Sequence, residues 1–76
     1  MDWKAHIGID AGVLGGKPVI RGTRLAVDFI VSLLAQGWSV EQVLESYPGL
    51  MREQVLACLA YAAESLSGER VFPRAS

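Results

Sequence analysis

The chain has 76 residues, 51% of them apolar, and a formal net charge of −1 from seven basic and eight acidic side chains. That length restricts it to one small domain, which buries only about 60% of its unfolded surface. The charge leaves no basic field to favour nucleic acid or an anionic membrane, and the single cysteine, Cys58, excludes an internal disulfide and suits a reducing cytoplasm. No run reaches the roughly 18 uninterrupted apolar residues of a spanning helix. Residues 1–6 lack the basic and apolar regions of a signal peptide, so the expected location is the cytoplasm, away from membrane.

Taken in order, Ile7-Gly8-Ile9 and Pro18-Val19-Ile20 read as two short strands, a hairpin over about 7–20. The loop between them carries Gly12, Gly15 and Gly16. Proline is tolerated at the first position of the second strand, where its missing N–H is not needed. Residues 21–24 form a turn, and Leu25-Ala26-Val27 reads as a third extended segment. A two-stranded hairpin is barely stable alone, so it needs the helices or a second copy to pack on.

The first helix is expected over 28–36. Asp28 suits the dipole of its first turn, and Gly37 is the left-handed residue after its last. Phe29, Ile30, Leu33 and Leu34 make its core stripe, widened by Val31 and Ala35. Ser39 is an N-cap with Gln42 three residues on, a capping box, and Trp38 and Val43 occupy the two positions of a hydrophobic staple. The second helix, 39–46, repeats Val40, Val43, Leu44 and Tyr47 at helical spacing. Pro48 ends it, Gly49 frees the turn, and a longer helix runs over about 51–66. Helix, tight glycine-containing turn and helix is the order of a helix-turn-helix. Residues 1–68 are thus one mainly α domain, a short N-terminal β-hairpin followed by three helices. Gly68 closes it and 69–76 form a tail.

In the third helix, Val55, Leu56, Leu59, Ala60, Ala63 and Leu66 face one way, and Ala57, Cys58, Tyr61 and Ala62 cover much of the rest. A helix apolar on most sides is buried on most sides. A 76-residue chain cannot supply that cover, so a dimer interface or partner surface is expected along helices one and three. Its candidates are Phe29, Val31, Ala57, Cys58, Tyr61 and Ala62. A homodimer is the expected state, and hairpin exchange between subunits stays open.

No enzyme is read here. The Gly12–Pro18 run resembles a phosphate-binding loop but has Ala11 where the first glycine must stand and Pro18 where a hydroxyl must hold magnesium. His6 has no metal-ligand spacing around it, and Cys58 sits among apolar residues with nothing to lower its pKa. The carboxylates are scattered, with no acid–base couple. No metal or cofactor is implied. Lys17, Arg21 and Arg24 admit two readings. A β-ribbon carrying arginines enters a DNA groove, where arginine reads guanine. Alternatively, Arg21 and Arg24 hold the turn by pairing with Asp10, Asp28 or backbone carbonyls. At the start of the third helix Arg52 and Gln54 are the base-reading candidates, beside a repelling Glu53.

The run Gly15-Gly16-Lys17-Pro18-Val19-Ile20-Arg21-Gly22-Thr23-Arg24, with Val27, Gly37-Trp38-Ser39, Tyr47-Pro48, Leu50, Val55, Ala57, Leu59 and Tyr61-Ala62, closely resembles the DUF433 family over about residues 5–63. The resemblance implies a homeodomain-like helix-turn-helix in a small bacterial protein similar to VapB-type antitoxins. It also implies a PIN-like nuclease toxin as partner, with operator DNA as a further ligand. On that footing the expected function is neutralisation of the toxin in a toxin–antitoxin system. Arg70 or Arg74 of the tail would enter the toxin's acidic metal site, with Phe72 as apolar anchor. The alternative is an interaction module that uses the helix-turn-helix only as a scaffold. Two positions depart from the family pattern. Ala26 stands where proline is frequent, and Met51 replaces a Ser or Thr N-cap, a loss of about 1 kcal/mol.

Overall fold

The computed structural model describes residues 2–67. Strands β1 (Ile7–Ile9) and β2 (Pro18–Ile20) precede helices α1 (Val27–Ala35), α2 (Val40–Ser46) and α3 (Arg52–Ser67). The architecture is therefore mainly helical behind a short antiparallel hairpin, as expected. Single 3-10 turns stand at Trp3–Ala5 and Leu14–Gly16. The expected tail, with Gly68 before it, lies outside the described residues.

The hairpin pairs Ile7 with Ile20, Gly8 with Val19 and Ile9 with Pro18. No third strand follows. Ala26 makes only an isolated bridge to Val19, and Val27 already opens α1. The intervening turn is held by a hydroxyl. Thr23 Oγ1 donates to the Ile20 carbonyl at 2.8 Å and accepts from the Leu25 N–H at 3.0 Å. Such local bonding by a short polar side chain offers the backbone an alternative to the ladder, so pairing stops at a single bridge.

Helix ends follow their local chemistry. Gly37, at φ 100°, donates to the Leu34 carbonyl at 3.0 Å, while the Trp38 N–H reaches Leu33 at 3.1 Å. These two bonds are a Schellman stop. The capping box of α2 is complete: the Gln42 N–H donates to Ser39 Oγ at 3.1 Å and the Ser39 N–H to Gln42 Oε1 at 2.7 Å. Tyr47 leaves the helical region before Pro48, and the Leu50 N–H closes the turn onto the Tyr47 carbonyl at 2.9 Å. Buried Leu50 then ties the turn to the core, which fixes where α3 begins.

The core draws on every element. Ile7, Ile20, Val27, Ile30, Leu33, Val43, Leu50, Val55, Ala57 and Cys58 form one buried cluster. This corrects the expected phase of two helices. In α1, Val27, Ile30 and Leu33 face inward, while Phe29 remains 39% exposed. In α3, Ala57 and Cys58 are fully buried, whereas Leu56, Leu59 and Leu66 are 39%, 38% and 60% exposed. The helix therefore turns its small side chains inward. Small residues allow close approach to α1 and the hairpin, where larger ones would be driven off rotamer.

Candidate macromolecular interface

The cationic residues of the hairpin are mostly committed within the chain. Lys17 Nζ lies 3.2 Å from Asp28 Oδ2, an exposed pair joining the hairpin loop to the first turn of α1. Arg21 runs in the opposite direction to the turn that follows it. Its Nε and one terminal nitrogen both donate to the Lys4 carbonyl at 3.3 Å. It crosses Gly8 to do so, and a Cβ on Gly8 would come within 3.0 Å of the guanidinium. The glycine is needed there for close approach. Of the two readings open for these arginines, the structural one describes Arg21, with a backbone carbonyl as its partner. Among the described residues Arg24 is in no ion pair or hydrogen bond. It lines a shallow cavity of about 660 Å³ with Leu14, Lys17, Asp28 and Phe29.

The start of α3 is likewise occupied. Arg52 donates to Glu41 of α2, and this hydrogen bond holds the Glu41 carboxyl below its ordinary pKa, with the nearby positive charge adding to it. The pair bridges α2 and α3. Gln54 Oε1 accepts from the Met51 N–H at 2.8 Å. That bond is half of a capping box; Met51, at the N-cap position, has no oxygen to supply the other half. Arg52 and Gln54, the base-reading candidates of the sequence, thus both have partners within the fold.

Three of the partner-surface candidates, Val31, Tyr61 and Ala62, come together. With Pro18, Val27, Asp28, Ser65 and Leu66 they line an apolar groove of about 300 Å³ between α1 and α3. Phe29 lies apart, edge-on to Tyr47 with ring centroids 5.9 Å apart. Ala57 and Cys58 are removed from the candidate surface, because neither has any exposed area to offer. Burial pushes the Cys58 thiol up to about 11, consistent with an inert core side chain. Arg70, Phe72 and Arg74 lie outside the described residues.

Residues 2–6 carry a role that the sequence reading missed. Trp3 packs edge-on against Tyr61 at 4.8 Å between centroids, and its Nε1 donates to Glu64. The N-terminal turn is thereby fastened to the far half of α3, and Arg21 fastens the same turn to β2. An aromatic with a polar tip near the terminus was the available signal. Among the described residues no cluster of His, Cys, Asp or Glu could hold a metal, and no helix is long and apolar enough to cross a membrane.

An antiparallel hairpin packed on three helices, the last two joined by a tight turn over Pro48-Gly49, defines a small, mainly helical module. The chain belongs to the DUF433 family, "Protein of unknown function (DUF433)", which it matches over residues 7–62. It is 44% identical over 59 residues to "Uncharacterized protein y4eO" of Sinorhizobium fredii, a stretch that covers 76% of this chain and 27% of that protein. A crystal structure of a DUF433 member from Anabaena variabilis superposes with a TM-score of 0.76 at 36% identity, covering 80% of this chain and 60% of that one. The chain therefore spans about a quarter of the curated relative's length and three fifths of the structural one's.

Proposed function

We propose that this chain is the antitoxin-like component of a bacterial toxin–antitoxin pair and acts by binding a PIN-like nuclease rather than by catalysis. The observation that carries this reading is the apolar groove between α1 and α3, lined by Val31, Tyr61, Ala62 and Leu66. Grooves with apolar walls and few polar groups are where a partner's side chains lose water at least cost. The PIN-like identity of the partner comes from the family resemblance. In this proposal the tail supplies Arg70 or Arg74 to the nuclease's acidic site, and Phe72 anchors it.

Operator DNA is the weaker of the two proposed ligands. Lys17, Arg21 and Arg52 each have an intramolecular partner, Gln54 is spent on a cap, and the net charge is −1. Those observations favour the scaffold reading of the helix-turn-helix. Arg24 is the cation best placed to meet a phosphate.

Coexpression with the neighbouring nuclease tests the protein contact. The expected result is a stable complex with suppressed nuclease activity, weakened by Val31→Asp or Ala62→Asp and lost on deletion of residues 69–76. Undiminished inhibition by both groove variants and the truncation would refute the proposed site. A gel shift on the upstream DNA across a salt series tests the other contact, since phosphate-mediated binding must weaken as salt rises. No shift at low salt, with and without the nuclease, leaves the scaffold reading.

A further inference from the structure

Most of the outer face of α3 lies outside the groove, which shares only Leu66 with it. Leu56, Leu59, Ala63 and Leu66 recur at intervals of three, four and three residues, and all four are exposed. That spacing is the seam along which one helix packs lengthwise against another. No charged residue interrupts the seam. Arg52, one turn before Leu56, is paired with Glu41, and Glu64, beside Ala63, accepts from Trp3.

We propose that the occupant of this seam is a second copy of the chain, with the two α3 helices antiparallel about a two-fold axis crossing the seam midway between Leu59 and Ala63. Under a two-fold every contact is reciprocated. In this register Leu56 meets Leu66 of the second copy, and Leu59 meets Ala63 of the second copy. The large side chain at the centre thus faces the small one twice, which lets the two backbones approach. A parallel pairing would set Leu59 on Leu59 and leave Ala63 facing Ala63, a gap beside a bulge. The large–small reciprocity is what singles out a second copy among possible helical partners. Ten residues of seam extend about 15 Å. One helix face from each copy is smaller than the roughly 800 Å² per partner of a standard interface. Association is therefore weak and concentration-dependent. The inference stands on α3 alone and is independent of the nuclease reading, because its experiment uses the chain without any partner.

Sedimentation equilibrium of the full chain from about 10 μM to about 1 mM spans the affinities such an interface gives. The expected result is a reversible monomer–dimer equilibrium. Leu59→Glu and Ala63→Lys, both at exposed positions, should each weaken dimerisation by about tenfold or more, with helical circular dichroism unchanged. The double variant Leu59→Glu, Ala63→Lys should recover most of that loss, because each glutamate then faces a lysine of the second copy. A monomer at every concentration overturns the proposal. So does a dimer indifferent to Leu59→Glu, which would use another surface. A double variant that stays dissociated overturns the antiparallel register, since parallel pairing sets like charges together.

Discussion

Leu56 and Ala57 are neighbours in α3 whose roles are opposite to those expected from their side chains, and exchanging their sizes separately tests how the helix is rolled. Ala57 has no exposed surface. Ala57→Leu adds three carbons where nothing can move aside, a change that costs about 1–3 kcal/mol and occasionally more. Leu56 is 39% exposed. Leu56→Ala removes three carbons that are about three-fifths buried, which at about 0.8 kcal/mol per buried methylene is about 1.5 kcal/mol, with no enclosed cavity to add to it. Alanine and leucine are both strong helix formers, so propensity contributes only a few tenths either way. Urea denaturation below the concentration at which the chain associates reports both values. The expected pattern is that Ala57→Leu costs at least about 1 kcal/mol and Leu56→Ala no more than about 1.5 kcal/mol. Were the leucine face the inner one, Leu56→Ala would cost about 2–5 kcal/mol and Ala57→Leu almost nothing. That result would refute the described packing of α3, and with it the free seam.

Three further outcomes follow from the helix ends and the α2–α3 pair. Ser39→Ala removes one half of a complete capping box and should lower stability by about 1 kcal/mol, while Met51→Thr supplies the missing oxygen at the start of α3 and should raise it by about 0.5–1 kcal/mol; thermal melts at fixed concentration measure both, and no gain from Met51→Thr would mean that Gln54 already satisfies that end. Glu41 has its pKa lowered by the hydrogen bond from Arg52, so its contribution is present above the unfolded-state pKa and disappears as pH falls through the lower folded-state value. NMR titration should find Glu41 below the ordinary carboxylate range and return it there in Arg52→Gln. An unchanged Glu41 in that variant would show that the pair does not persist in solution.

Short-range features were open to reading from the sequence because their causes lie within four residues of one another. The Ser39–Gln42 box, the stop at Gly37 and the break before Pro48 all use a side chain and the backbone beside it. The two hairpin strands were legible too, but their register, with buried Ile7 opposite buried Ile20, is given only by the fold. Val31, Tyr61 and Ala62 were recognisable as surplus apolar surface, although nothing local said that they share one groove. Ala57 and Cys58 were assigned to the wrong side because α3 is apolar around most of its circumference. Where every face is greasy, periodicity carries no phase, and size against neighbouring elements decides.

What the chain by itself determined, then, is where each helix starts and stops to within a residue, and that a hairpin precedes them. Only the folded arrangement decided which side of α3 is covered, that Trp3 reaches Glu64 across 61 residues of chain, and that Arg21 and Arg52 are spent on Lys4 and Glu41. Caps and turns are contests between a residue and its own backbone, settled locally. Burial and ion pairing depend on what arrives from elsewhere in the chain, and that is known only once the elements have packed.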